Sequence, residues 1–375
     1  MLLTMLPMSL LAQKVEVGNY EFKMVEDIEA QPVQDQNITG TCWSFSTLSF
    51  IESEIKRNKG IEVKLSEMWI VRHSYIEKAK RYVRFHGKLN MAQGGNFHDV
   101  TTIIDKYGIV PQIEYKGLNY GTDNHEHSEL EAMLQAMCNV VIANKNRELS
   151  TSWLDAITAT IDAYLGTPVE KFTYEGKEYT PKSFVDYLDF DGSDYVSITS
   201  FTHEPMYEQF ILELPDNWMH KSSYNVPLNE FMELMTVALD EGYSMAWGAD
   251  VSEKGFQHRK GVAIVPVGNW DGVSRTKVDS VVAEPAKQEK ITPEMRQEGY
   301  DNYTTTDDHG MHITGYAKEK STGEVYFKVK NSWGTKSNDC GGYFFASESY
   351  VAYKTINVMV HKDALPKAMK KKLKL

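Results

Sequence analysis

Near residue 168 the hydrophobic period of this chain changes from helical spacing to strand alternation. Upstream, "STLSFIESEIKR" sets Phe45, Leu48, Ile51 and Ile55 on one helical stripe, with Glu52, Glu54 and Lys56 expected in water. Residues 65–86 predict a second helix capped by Ser66, and "FHDVTTIIDKYGIVP" a third, stopped by Gly108 and Pro111. Here His98 and Asp99 read as a surface pair. Residues 128–165 are helix-rich. Downstream, "DYVSITSF", "YEQFILEL", "YSMAWGADV", "GVAIVPVG", "HGMHITGYA" and "EVYFKVKNSW" read as strands between turns, and 270–306 as a polar loop or short helix. Helices first and strands after predict an α+β protein with segregated layers.

The chain has 375 residues, 42 % of them hydrophobic, enough for one large core or two smaller ones. A net charge of −12 argues against nucleic acid and against an anionic membrane surface as partners. "MLLTMLPMSLLAQ" resembles the apolar core and small-residue end of a secretory signal, so residues 1–12 are expected to be a leader and the protein to be exported, periplasmic or secreted. Without that leader it would be cytoplasmic. The segment is too short to span a bilayer, and no other stretch is apolar enough. Residues 363–375 carry "LPKAMKKKLKL" and read as a solvated basic tail.

Cys42, Cys138 and Cys340 are the three cysteines, an odd number that leaves at least one thiol unpaired within the chain. They are not clustered as zinc ligands are, and no metal or cofactor is expected. Cys42 follows a turn at Gly40 and stands where a helix begins. Backbone N–H groups and the helix dipole favour an anion there, which lowers a thiol's pKa. Locally, a nucleophile and a small buried hydrophobe fit Cys42 equally well.

A thiol nucleophile needs a base, and "DDHGMHITGYA" offers His309 and His312. Strand alternation puts them on opposite faces, which weakens a metal site made of Asp307, Asp308, His309 and His312. Asp308 could tune the base or be a plain loop residue. In the next strand Asn331 emerges on the apolar face of Phe327 and Val329, where its amide needs a partner. An imidazole N–H would satisfy it, and Trp333 could shield that bond.

"QDQNITGTCWSFS", "DHGMHITGY" and "VKNSWG" together resemble the signature blocks of the papain-like cysteine peptidases. The order Gln36, Cys42, His309, Asn331 matches the family's Gln, Cys, His, Asn. The resemblance implies a two-lobed fold, a helical lobe and an antiparallel barrel-like lobe with a cleft between. It implies a Cys42–His309–Asn331 triad, an oxyanion hole of Gln36 and the Cys42 N–H, and a peptide substrate. Gly94 and Gly95 match a glycine pair that lines the cleft in that family, though a plain turn also fits them.

His309 follows Cys42 by 267 residues, well beyond the roughly 130–150 of papain itself. With "GGNFHDV", "YGIVP", "TPVEKF", "YVSITSF" and "WGADV", this spacing resembles the bleomycin hydrolase and aminopeptidase C branch. A peptidase domain over 13–362, with a helical insertion at roughly 115–235, is the expected organisation. The branch implies a hexameric homo-oligomer and aminopeptidase action, with a C-terminal arm in the cleft. Because "KKKLKL" replaces the usual arm, either Leu375 still reaches the cleft or the cleft is open to internal bonds. A papain fold kept for binding is the remaining alternative, although none of the four residues is lost.

Overall fold

The structure, a computed structural model, describes residues 14–145, 148–268 and 273–375. The apolar segment 1–12 lies outside them. The described chain opens with a hairpin, β1 (Lys14–Val17) and β2 (Tyr20–Asp27), for which the sequence reading had no expectation. Five helices follow: α1 (Cys42–Lys59), α2 (Glu67–Arg84), α3 (Phe97–Tyr107), α4 (Ser128–Ile142) and α5 (Trp153–Leu165). Their limits follow the local chemistry. Ser66 accepts from the Trp69 N–H, Asn96 and Asp99 close a capping box, and Gly108 ends α3 at φ 77°. Asp99 is therefore buried rather than a surface partner of His98.

Next come the small hairpin β3 (Phe172–Tyr174) and β4 (Lys177–Tyr179) and helix α6 (Pro181–Leu188). Then follow β5 (Tyr195–Thr199), β6 (Gln209–Ile211), β7 (Ser222–Asn225), α7 (Leu228–Asp240), β8 (Met245–Ala249), β9 (Phe256–Gln257) and β10 (Val262–Ala263). Helices α8 (Arg275–Val282) and α9 (Pro293–Asp301) occupy the polar stretch. The chain closes with β11 (His309–Glu319), β12 (Val325–Lys330), β13 (Tyr343–Ser347), α10 (Glu348–Lys354), β14 (Thr355–His361) and α11 (Lys367–Leu373).

The strand half is thus interrupted by helices. In α7, Leu228, Phe231, Leu234, Met235, Ala238 and Leu239 are buried at helical spacing, a signal the strand reading passed over.

Twelve strands form one sheet among the described residues. It runs β6-β7-β5-β14-β8-β11-β12-β13-β10-β9, with β2 also paired to β11 and β1 paired to β2. Pairing is mostly antiparallel; β5/β7 and β10/β13 are the parallel pairs. Two large apolar cores flank this arrangement. One gathers the helices α1–α6, and the other packs α7, α10 and α11 on the sheet.

Two expectations of solvation are overturned. Glu52 and Glu54 are 1 % and 2 % exposed, because α1 is enclosed by helices on one side and β11 on the other. Glu52 accepts from the Leu65 N–H (2.8 Å) and Lys64 Nζ (3.2 Å), and Glu54 takes both bonds from Arg57. The basic end is not a free tail either. Residues 367–373 form α11, with Met369 and Leu373 buried in the second core and Lys372 bound to Glu230 of α7 at 2.7 Å. Amphipathic placement reconciles four lysines with a packed helix.

Candidate active site

Contact between α1 and β11 creates the site. A Cβ on Gly310 would lie 2.8 Å from Ser46 Oγ and 3.2 Å from Trp43 Cα, so only glycine lets the start of α1 rest directly on β11. That contact sets Cys42, the first residue of α1, beside His309, the first residue of β11, along one cleft of about 270 Å³. The same packing explains the hydroxyl-rich text of α1. Enclosed on all sides, Ser44 donates to Glu67 O (2.9 Å) and Thr47 to Trp43 O (2.6 Å).

Cys42 does not show the lowered pKa expected of a helix start. Burial pushes its thiol up to about 12, assisted by the negative charges of Asp307 and Asp216, while the N–H groups of Gly310 and Trp43 oppose the rise. Desolvation outweighs the few backbone donors. His309 is also buried, which pushes its imidazole down to about 4 against the Asn331 bond and the charge of Asp308. Asp308 itself is exposed and bonded to Thr306 Oγ1 at 2.6 Å.

The imidazole is oriented from behind. His309 Nε2 donates to Asn331 Oδ1 at 2.7 Å, and the Ser332 N–H donates to the same oxygen at 2.8 Å. Asn331 Nδ2 in turn donates to His258 Nδ1 at 3.3 Å, which leaves His258 Nε2 to bond Ser337 Oγ at 2.8 Å. The amide cannot flip without losing these bonds. It therefore holds His309 with its proton on Nε2 and leaves Nδ1 bare, because the bond made by one ring nitrogen sets the tautomer of the other. Trp333 lies against both rings, 4.8 Å from His309 and 4.8 Å from His258 between centroids. His312 points elsewhere, to Ser49 Oγ at 2.9 Å, so β11 does not bring it together with Asp307, Asp308 and His309.

A model of the "Peptidase C1-like family" matches residues 7–375. The chain belongs to the peptidase C1-like family. It is a cysteine-type peptidase of the papain-like bleomycin hydrolase and aminopeptidase C branch. Aminopeptidase C of Streptococcus thermophilus is 23 % identical over 95 % of this chain and 86 % of its own length. Aminopeptidase C of Lactobacillus delbrueckii subsp. lactis is 26 % identical over 92 % and 82 %, and bleomycin hydrolase of Gallus gallus 21 % over 92 % and 83 %. The crystal structure of PepW from Lactobacillus rhamnosis HN001 shares the fold, with a TM-score of 0.72 at 20 % identity over 94 % of this chain and 84 % of that one.

In this peptidase C1-like chain Gln36 is 6 % exposed and clamped from two sides. Its Oε1 accepts from Ser332 Oγ (2.6 Å) and its Nε2 donates to Thr39 O (2.7 Å), which leaves one amide N–H over. Gly94 and Gly95 line the cleft with Cys42 and His309. The space where their side chains would stand is filled by protein. A Cβ on Gly94 would sit 1.9 Å from Asp216 Oδ2, and one on Gly95 2.8 Å from the Trp43 ring. Cys138 and Cys340 are both free and belong to different cores. Leu375 is not at the cleft; its N–H bonds Lys370 O at the end of α11.

Sequence reasoning missed His258 and Asp216. Neither stands in a motif, and only the fold carries them to the site from positions 73 residues before Asn331 and 174 after Cys42.

Proposed function

We propose that this cysteine-type peptidase is an aminopeptidase in which Cys42 is the nucleophile, His309 the general acid and base, and Asn331 the group that orients His309. The observation that carries this reading is the 2.7 Å bond from His309 Nε2 to Asn331 Oδ1, which leaves Nδ1 bare in the cleft that Cys42 lines. His309 Nδ1 takes the thiol proton as sulfur bonds the scissile carbonyl carbon. The tetrahedral oxyanion is met by the Cys42 N–H and the remaining Gln36 N–H. Its collapse breaks the C–N bond, and the imidazolium gives its proton to the leaving amine. Water, deprotonated by His309, then hydrolyses the thioester and restores the thiol. Trp333 keeps water from the His309–Asn331 bond, and Gly94 and Gly95 border the bound peptide.

Relatives named aminopeptidase C and bleomycin hydrolase support an exopeptidase. The test compares a free-amine dipeptide amide with its N-acetylated twin. The aminopeptidase reading expects at least tenfold higher kcat/KM for the free amine, with Cys42→Ala reducing both by at least about 1,000-fold. Equal cleavage of the two would turn the assignment to an open-cleft endopeptidase. A homo-oligomer, hexameric by resemblance, and export through residues 1–12 belong to the same proposal. Solution mass and the location of the full-length chain test them.

A further inference from the structure

One wall of the cleft carries a carboxylate beside the glycine pair. A Cβ on Gly94 would meet Asp216 Oδ2 at 1.9 Å and Oδ1 at 2.4 Å, so the carboxylate rests on the bare backbone of the glycine pair. Asn90 Nδ2 fixes it there with a 2.7 Å bond to Oδ1, in a side chain that is only partly exposed. Asp216 is thus a wall. Together with Asp307 it lines both the reaction cleft and a second cavity of about 410 Å³ that includes Tyr300, Tyr303 and Thr306.

The wall is close to the chemistry. Asp216 and Asp307 line the same cleft as Cys42 and His309, near enough for both charges to raise the thiol's pKa. The buried Lys78 ammonium acts on Asp216 through its charge, offsetting part of the rise that burial gives the carboxyl's pKa, but it bonds Ala92 O and Gly94 O, not the carboxylate. Burial and the neighbouring Asp216 push Asp307 up to about 8, so at pH 7 Asp216 and Glu131 carry negative charge on the cleft lining, and with its lysine directed into backbone carbonyls the cleft favours a cationic ligand group. In a peptide attacked at its first bond, the α-nitrogen is separated from the scissile carbonyl carbon by one carbon, so the ammonium must enter this cleft. A longer or acylated peptide would instead bring a neutral amide and further chain to the space the carboxylate fills.

We propose that Asp216 determines the cleavage position, by pairing with the free α-ammonium of the substrate's first residue and by blocking chain that would precede it. The substrate class is then peptides with an unblocked amino terminus. This inference rests on the aminopeptidase reading above and names the group that enforces it.

The experiment measures kcat/KM for an alanine amide of a fluorogenic amine and for its N-acetylated twin, on the full chain and on two variants. Asp216→Asn keeps the volume and removes the charge, and should lower the free-to-acetylated ratio about 10–100-fold. Asp216→Ala also removes the bulk and should raise cleavage of the N-acetylated twin above the wild-type rate. Alkylation of Cys42 by iodoacetamide at no less than the wild-type rate certifies an intact site in each variant, because removing the Asp216 charge eases thiolate formation, and where one variant does not fold the ratio in the other decides. A wild type that prefers the free amine, with variants whose ratios stay within twofold of it, overturns the role of Asp216 and leaves the aminopeptidase assignment standing. A wild-type ratio near one removes both.

Discussion

Burial pushes the Cys42 thiol up to about 12 and the His309 imidazole down to about 4, so each group alone is neutral at pH 7. A thiolate in this site has to arise by transfer of the proton to His309, where the two new charges offset each other's desolvation. Alkylation of Cys42 by iodoacetamide should therefore proceed at pH 6 in the wild type. In His309→Ala the sulfur loses its base, and reactivity should move to alkaline pH with at least a tenfold loss at pH 6. An unchanged rate–pH profile in the variant would remove His309 from the role. The residues of this pair were legible because Cys42, His309, Asn331 and Gln36 sit in short motifs whose spacing is local. The direction of the Cys42 shift was not, since burial is a property of everything packed around the thiol.

At the scale of elements, α1 shows how far periodicity reaches. Its stripe of Phe45, Leu48, Ile51 and Ile55 is buried as the spacing predicts, but Glu54, off that stripe, is equally buried, and so is Glu52, one turn after Leu48 on the stripe itself. A helical period identifies one apolar face and does not show whether a second layer covers the other. Glu52→Ala would leave the buried Leu65 N–H without its acceptor, a cost of about 1–3 kcal/mol in a urea unfolding experiment.

The start of α4 carries a second burial effect. His127 is fully buried, with Tyr75 Oη on Nδ1 at 3.1 Å, and burial lowers its pKa from 6.5 to about 3. The unfolded chain then binds the extra proton as the pH falls below 6.5, so this residue's contribution to stability is lost over that range. Relative to the wild type, His127→Leu should gain about 1.4 kcal/mol for each pH unit below neutrality in that window. A stability difference independent of pH would show that the imidazole is protonated in the fold.

For the molecule as a whole, α11 joins the far end of the chain to the second core. Met369 and Leu373 are 3 % and 4 % exposed, and their removal by truncation after Pro366 should cost roughly 3–5 kcal/mol. A truncated chain as resistant to urea as the full one would show that the lysine-rich end contributes no packing.

The motifs around Cys42, His309 and Asn331 pointed by themselves to the family and to a cysteine-type peptidase, because each is a short run whose meaning depends on neighbours in the chain. The helices capped by Ser66 and Asn96 were equally local. Only the tertiary structure decided that Glu52 is buried, that α11 is packed, that His258 holds Asn331, and that the Asp216 carboxylate stands against Gly94 on the cleft lining. Those outcomes depend on contacts between segments tens to hundreds of residues apart, and desolvation, which sets the charge states of the site, exists only once such segments have met.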